Sequence, residues 1–350
     1  MLATMPRNKP LLRALKGDIV RPVPLWLMRQ AGRYLPEYRA IRSTVGNFLD
    51  LCLTPELAAE ITLQPIRRFG FDAAILFSDI LTIPHALGQQ VRFQEGLGPS
   101  LSPLDAKQDL LRLTCDDIEG RLDPVYRTLK IVSSKLPETT TLLGFAGAPW
   151  TVAAYMIEGK GSPGFPSARA FLRNRPEDME DLIDLLCEAT ARHLMAQIAA
   201  GAEAVQIFDT WAGLLTEMEF HRWVIAPTQR IVRRIKKDFP DVPVIGFPKG
   251  AGSLYEGYSL ETGIDAIGLD SSVSLDWAAR VLQPKVTLQG NLDPTLLLAN
   301  GDDLEQTIEH ILMAVSSGPF VFNLGHGVLP ETPLDAIYRT VDRIKSWKPT

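Results

Sequence analysis

Two arginines and one aspartate are the residues of this sequence whose types and positions best suit chemistry on an acidic ligand. Arg29 and Arg33 follow an apolar run that ends at Met28, and Asp79 follows the run Ile75–Ser78. A guanidinium binds a carboxylate or phosphate through two parallel hydrogen bonds. A carboxylate behind an apolar run is partly desolvated and suits a positive or N–H-rich ligand group. The residues alone leave a solvated basic face and a helix N-cap as alternatives.

Other polar side chains also follow apolar runs directly. His326 lies between Gly325 and Gly327, where backbone can approach a ligand closely, although a lone histidine is more often structural than catalytic. Lys249 is a weak candidate for a Schiff base, because its neighbours Pro248 and Gly250 do not support that role. Asp270 and Asp293 suit helix caps equally well. The set as a whole predicts one site built from many strand ends.

Short apolar runs recur along the chain and are the elements that must position these side chains. Continuous apolar segments of this length are typical of parallel strands buried on both faces. The runs are Pro24–Met28, Ala73–Phe77, Thr141–Phe145, Ala204–Phe208, Val242–Phe247, Ala266–Leu269, Val286–Leu288 and Phe320–Leu324. Helical patterns lie between them, the clearest over residues 181–200. Eight alternating units predict an α/β fold, a single (β/α)₈ TIM-type barrel over residues 1–350, with an open doubly wound sheet as the alternative.

One Gly- and Pro-rich stretch and the overall composition bound the remaining possibilities. Residues 158–166 follow the third predicted strand and are interpreted as a mobile loop over the site. The net charge is −5, so no global basic field exists to bind nucleic acid. Arg7, Lys9 and Arg13 interrupt the N-terminal apolar residues, which argues against a signal peptide. No apolar run reaches the ~18 residues of a membrane span, so we expect a cytoplasmic protein.

Three scattered cysteines, Cys52, Cys115 and Cys187, form neither a disulfide framework nor a metal clip. The sequence also lacks an HExxH motif and a GxGxxG motif behind a strand, which argues against zinc hydrolases and dinucleotide-dependent enzymes.

Two long motifs resemble the signatures of the uroporphyrinogen decarboxylase family. Residues 24–36, PLWLMRQAGRYLP, are similar to the first signature, and residues 144–159, GFAGAPWTVAAYMIEG, to the second. Shorter matches at 77–80, 290–293 and 325–327 follow in the expected order. The resemblance implies a (β/α)₈ barrel, typically a homodimer. It also implies a carboxy-lyase that converts the four acetate side chains of uroporphyrinogen III to methyl groups, giving coproporphyrinogen III, without metal or organic cofactor.

The same resemblance assigns roles residue by residue. It gives Asp79 and Arg29 the catalytic positions, with Asp79 facing the pyrrole N–H groups. Thr210 stands where many relatives carry serine, and Phe208 matches an apolar wall. The full set of implied substrate contacts is Arg29, Gln30, Arg33, Arg42, Asp79, Tyr155, Phe208, Thr210 and His326.

Two other functions stay open at this point. A related zinc-dependent barrel methyltransferase would activate a thiol or corrinoid through cysteine and histidine ligands, and the cysteines here lie away from the predicted strand ends. A non-catalytic tetrapyrrole carrier would keep the arginines and need no Asp79.

Overall fold

The computed structural model describes residues 9–94, 98–105 and 107–348, so the first eight residues, part of the signal-peptide argument, lie outside it. Its main sheet has seven parallel strands in the order β1-β4-β5-β6-β7-β8-β9, each joined to the next along the chain by helical segments. The strands are β1 Ala73–Ile75, β4 Thr141–Gly147, β5 Ala204–Asp209, β6 Val244–Pro248, β7 Ala266–Gly268, β8 Thr287–Leu292 and β9 Phe320–Leu324. Strands β2, Val91–Gln94, and β3, Gly98–Leu101, form a separate antiparallel hairpin that the sequence did not predict.

The helices lie between and around these strands. In chain order they are α1 Pro10–Leu15, α2 Pro36–Arg42, α3 Phe48–Cys52, α4 Pro55–Phe69, α5 Thr82–Leu87, α6 Lys107–Leu110, α7 Ile118–Arg121, α8 Asp123–Ser133, α9 Pro149–Glu158, α10 Pro166–Asn174, α11 Pro176–Ala199, α12 Glu217–Phe220, α13 Ala226–Asp238, α14 Tyr255–Glu261, α15 Leu275–Val281, α16 Pro294–Ala299, α17 Asp303–Ala314 and α18 Leu334–Ser346. Helix α11 begins five residues before the predicted start, because Pro176 occupies its first turn together with Glu177 and Asp178.

The predicted first strand, Pro24–Met28, is irregular in the structure and forms a single parallel bridge, Leu25 with Phe322. Pro24 has no N–H to donate, and three donors of the segment go to side chains. The Leu25, Leu27 and Met28 N–H groups bond Asp72 Oδ2, Gln30 Oε1 and Asn323 Oδ1.

The segment nevertheless lies between the two edges of the sheet. The Asp72 N–H donates to the Leu25 carbonyl at 2.9 Å, and the Phe322 N–H donates to the Pro24 carbonyl at 2.9 Å. The predicted α/β barrel-like fold is therefore confirmed: seven regular strands form a curled parallel sheet, and one irregular segment stands in place of the eighth, so regular strand pairing does not fully close the barrel.

The interior of the barrel is apolar toward the amino ends of the strands. Helix α1 covers this end with Leu11, Leu12 and Leu15, and the Thr287 hydroxyl anchors it by donating to the Ala14 carbonyl at 2.7 Å. Because this end is filled, the opposite end, where the strands terminate, is left for a ligand.

A buried polar chain crosses the interior above this apolar layer. The Trp26 Nε1–H donates to Gln289 Oε1 at 3.0 Å, and Gln289 Nε2 donates to Gln206 Oε1 at 3.1 Å. These bonds tie the irregular segment to β8 and β5.

Candidate active site at the carboxyl ends of the strands

Arg29 lies at the mouth of the barrel in a backbone conformation that few residues other than glycine adopt. Its φ is 60°, in the left-handed region, and its side chain is exposed. The neighbours on both sides are fixed. The Val328 N–H donates to the Met28 carbonyl at 2.8 Å, and the buried Gln30 amide bonds Leu27 and Ala73. The backbone around Arg29 is therefore held rigidly, and its guanidinium lies at the mouth of the barrel.

Asp79 lies just beyond β1, close enough to Arg29 for their charges to interact. Burial raises the pKa of Asp79 to about 6, while the Leu81 N–H and the Arg29 charge act in the opposite direction. The Leu81 N–H reaches Oδ1 at 2.8 Å, which makes the carboxylate the start of a short Asx-type turn into α5. At neutral pH the group is mostly ionised, and it titrates close enough to neutrality for modest changes in environment to alter its charge.

His326 lies across the mouth, beyond β9. Burial, together with the positive charges of Arg29 and Lys249 and against the opposing charge of Asp270, lowers the pKa of its imidazole to about 4. The ring is therefore neutral at physiological pH, and it can donate one hydrogen bond and accept another. Lys249 contributes a positive charge to this side of the mouth.

Tyr155 reaches the mouth from α9 and forms an aromatic cluster with Phe165 and Trp211. Its ring lies 5.2 Å from Phe165 and 6.5 Å from Trp211, and the Phe165 and Trp211 centroids are 4.9 Å apart. Burial raises the pKa of the Tyr155 hydroxyl; the Trp211 side chain lowers it, Asp79 raises it and Arg29 lowers it. Tyr155 thus faces the same pair of charges as the ligand would.

The structure corrects the position of residues 158–166, which the sequence interpretation placed directly after a strand. Helix α9 separates this stretch from β4, and Phe165 is fully buried. The Glu158 carboxylate accepts from the Ser167 N–H at 3.0 Å and the Ala168 N–H at 3.2 Å. The stretch connects two helices, with Phe165 buried and Lys160, Gly161 and Pro163 exposed.

Phe208 and Thr210 lie at the end of β5. Phe208 points into the barrel, with ring centroids 5.7 Å from Phe145 and 6.0 Å from Phe247, and these three rings form an apolar wall. Thr210 is partly exposed beside Trp211.

Arg33 and Arg42 lie on the side of the mouth formed by the segment around α2. Both act on the pKa of the buried Tyr38 hydroxyl, which burial raises and their charges lower. Arg42 donates to the Val45 carbonyl, so part of its guanidinium is already bound, and Arg33 is exposed. Cys52 of α3 is closer to the mouth than expected, since the charges of Asp79 and Arg42 both act on the pKa of its thiol, which burial raises.

Gln30 differs from the other predicted contacts. Its side chain is fully buried, with Oε1 accepting from Leu27 and Nε2 donating to the Ala73 carbonyl at 3.0 Å. The backbone carbonyl of Gln30 also accepts a hydrogen bond from the Tyr34 hydroxyl at 2.7 Å. The structure therefore gives Gln30 the task of holding the Arg29 segment, and its amide is not directed at a ligand.

Asp209 and Thr151 received no role in the sequence interpretation, and they form buried hydrogen bonds next to the site. Asp209 is fully buried at the end of β5 and accepts from the Thr151 hydroxyl, which in turn accepts from the Trp211 N–H at 3.1 Å. Burial raises the pKa of Asp209 to about 7. Its position after Phe208 was visible in the sequence, but its orientation toward Thr151 was not.

Metal binding and membrane insertion can be examined for the described residues. Within residues 9–94, 98–105 and 107–348, no three His, Cys, Asp or Glu side chains come together as metal ligands would. In the same ranges, no helix combines the length and the apolar character that crossing a bilayer requires.

Comparison with known proteins gives consistent matches over almost the whole chain. A family model described as uroporphyrinogen decarboxylase (URO-D) matches residues 6–347. Proteins named uroporphyrinogen decarboxylase are similar: that of Rhodospirillum rubrum is 55% identical over 339 residues, covering 97% of each chain. That of Brucella canis is 52% identical over 341 residues, covering 97% of this chain and 99% of its own.

A solved structure described as a methyltransferase from Methanosarcina mazei shares the fold. Its TM-score is 0.77 at 21% identity, with coverage of 96% of this chain and 97% of that one. At this identity the likeness supports the barrel architecture alone.

Proposed function

The chain belongs to the uroporphyrinogen decarboxylase family, and we propose that the mouth of its barrel is where the reaction of that family takes place. The protein is a carboxy-lyase that decarboxylates uroporphyrinogen in tetrapyrrole biosynthesis. In the proposed reaction each acetate side chain of uroporphyrinogen III loses CO₂ and takes up one proton to become a methyl group. Repetition on all four rings gives coproporphyrinogen III.

The pyrrole ring itself is the electron sink in this proposal. Protonation of a ring carbon next to the acetate-bearing carbon gives a cation, and the electrons of the breaking C–CO₂ bond neutralise it. A second proton then adds to the released methylene carbon, and loss of the first proton restores the pyrrole. The balance is one CO₂ released and one proton consumed, with no oxidant, metal or organic cofactor.

The observation that carries the proposal is a half-buried carboxylate, that of Asp79, at the mouth beside Arg29. An ionised Asp79 bonds the pyrrole N–H groups and stabilises the positive charge that develops on the ring. Preorganised charge is usually the largest single contribution to catalysis. A pKa of about 6 keeps the group ionised at neutral pH.

The arginines bind the carboxylates of the substrate. Arg29 and Arg33 provide forks for bidentate pairing, and Arg42 has donors left after its bond to Val45. Tyr155 and the neutral His326 add hydrogen bonds, Thr210 adds a hydroxyl, and Phe208 forms an apolar wall against the macrocycle. Arg29 is also placed to relay a proton, but an arginine, with a pKa above ~12, is a poor acid, so this role requires the help of water or a substrate carboxyl.

We further propose that the protein acts as a homodimer in the cytoplasm. The basis is the family resemblance, in which two active-site clefts face one another. Size-exclusion chromatography with light scattering measures the dimer directly.

Chromatography of oxidised reaction products tests the function. Purified protein incubated anaerobically with uroporphyrinogen III should yield seven-, six- and five-carboxyl intermediates and then the four-carboxyl product. The isomer I substrate, run in parallel, measures isomer preference. Binding without turnover would identify a carrier and contradict the proposal.

Metal analysis of the same preparation separates the decarboxylase from the methyltransferase. We expect full activity after extensive chelation and no stoichiometric zinc. One zinc per chain, with activity lost on its removal, would favour the metal-dependent function.

A further inference from the structure

Gly327 forms the surface on which the Arg29 side chain lies. A β-carbon built on Gly327 would stand 2.3 Å from Arg29 Cδ, 2.6 Å from Cγ and 2.9 Å from Nε. Non-bonded heavy atoms pack at about 3.5–4.0 Å, so any side chain at position 327 overlaps the aliphatic stem of Arg29. The glycine has no left-handed φ that would require it on conformational grounds. A glycine is therefore needed at position 327 because a larger residue would overlap the Arg29 side chain.

Gly325, on the other side of His326, meets a different kind of neighbour. Its added β-carbon would lie 2.3 Å from the Ser271 backbone nitrogen and 2.2 Å from the Ser271 hydroxyl oxygen. Backbone cannot swing away as a long side chain can, so Gly325 serves the packing of β9 against the loop after β7. The two glycines of one motif thus have separate roles, and both close approaches are made within the protein.

We propose that Gly327 is a positioning residue for substrate recognition, which holds the guanidinium of Arg29 over the mouth of the barrel. The inference rests on the proposed role of Arg29 in binding substrate carboxylates. It adds a specific cause for the Arg29 conformation. The left-handed backbone aims the side chain, and the flat backbone of Gly327 allows the stem to lie against the wall instead of projecting into the mouth.

The position of Arg29 affects three titratable groups at the mouth. Its charge lowers the pKa of Asp79, of Tyr155 and of His326. A methyl group at position 327 displaces the stem by one to two ångströms, while the flexible side chain can move without unfolding the barrel. Recognition of the substrate should therefore weaken while the fold persists.

The test is Gly327→Ala compared with Gly301→Ala, a control in a loop where an added β-carbon meets nothing within 4 Å. We expect kcat/KM of Gly327→Ala to fall on the order of 10- to 100-fold, mainly through KM, since misplacement by about 1 Å can cost this much. Thermal unfolding should match that of Gly301→Ala. Unchanged kinetics would overturn the proposal.

A double-mutant cycle separates positioning from a general structural effect. In an Arg29→Ala background the methyl of Gly327→Ala has no stem to displace, so the second substitution should change kcat/KM less than twofold. A further tenfold loss in that background would show that Gly327 acts on something other than Arg29.

A measurement without substrate keeps the proposal distinct from the proposed function. The His326 ring, followed by NMR as a function of pH, should titrate at higher pH in Gly327→Ala than in the unmodified protein, because Arg29 is one of the two positive charges that lower its pKa. The same comparison in an Arg29→Ala background controls for a direct effect of the new methyl group on the adjacent ring, and the shift should disappear there. An unshifted His326 titration would contradict the proposal even if the enzyme were active. A shifted titration would support the proposal even if the enzyme were inactive.

Discussion

The carboxylates of Asp79 and Asp270 lie just beyond two strands of one barrel and differ in what surrounds their oxygen atoms. Asp270 accepts from the Gly250 N–H at 2.7 Å and the Tyr255 hydroxyl at 2.8 Å through Oδ2, and from the Ser272 N–H and hydroxyl through Oδ1. Within the described residues, the donor to the Asp79 carboxylate is the Leu81 N–H at 2.8 Å.

The different surroundings move the two pKa values in opposite directions. Burial opposes ionisation of Asp270, but the hydrogen bonds from Ser272, Gly250 and Tyr255 outweigh it and lower the pKa. For Asp79 burial dominates and raises the pKa to about 6. A carboxylate saturated by protein donors stabilises the fold, whereas one with open acceptor positions is available to a ligand. The mouth thus combines one carboxylate that is available to a ligand with another that is committed to the structure.

Replacement of Asp79 gives the largest expected effect. Asp79→Asn keeps the shape and removes the charge, so kcat should fall ~10²- to 10³-fold while KM changes little. The control is Asp293→Asn, because Asp293 caps α16 through the Thr295 N–H and asparagine caps equally well. Steady-state kinetics measure both variants. Near-normal turnover of Asp79→Asn would exclude the electrostatic role.

The pH dependence of turnover sharpens the same contrast. If ionised Asp79 is the active form, kcat/KM falls about tenfold per pH unit below the pKa of about 6 and is level above it. Asp79→Asn should lack this acidic limb. A limb that persists unchanged in the variant would assign it to another group.

The substitutions Asp270→Asn and Asp79→Asn should have different effects on stability. Asp270→Asn places donors against the Gly250 and Tyr255 donors, so unfolding free energy at pH 8 should fall by about 3 kcal/mol. The folded pKa of Asp270 is lowered, so its stabilisation is present above the ordinary pKa and disappears as the pH falls through the folded value.

Asp79→Asn should be at least as stable as the unmodified protein at pH 8, since its raised pKa marks a charge that the fold disfavours. Urea unfolding followed by circular dichroism compares the two variants. Equal losses of stability in the two variants would contradict the proposed difference between Asp79 and Asp270.

The smallest expected effect concerns Asp209, a third strand-end acid, which faces Thr151 and is fully buried. Its folded pKa of about 7 lies above the ordinary value, so the group destabilises the fold increasingly as pH rises from about 4 to 7. Asp209→Asn should remove this dependence of the unfolding free energy on pH. Its stability relative to the unmodified protein should therefore rise by on the order of 2 kcal/mol between pH 5 and pH 8. Urea midpoints at the two pH values test it, and parallel shifts in both proteins would count against the assignment.

The sequence predicted the architecture because buried parallel strands leave a local trace. Runs of apolar residues such as 141–145, 204–208 and 320–324 coincide with β4, β5 and β9 to within two residues. The first run, 24–28, matched the pattern equally well and became an irregular segment. Its partners are side chains from distant positions, Asp72 and Asn323, and local periodicity carries no information about them.

The motif residues were visible in the sequence, but their physical roles were not. The sequence by itself predicted that Arg29, Asp79 and His326 lie at one mouth, because each follows an apolar run, although the run before Arg29 is an irregular segment in the structure. Only the tertiary structure decided that Gln30 faces the wall, that Asp270 is saturated, and that Gly327 lies against Arg29. Burial and charge interactions join residues hundreds of positions apart, and they depend on distances that exist only once the whole chain has folded.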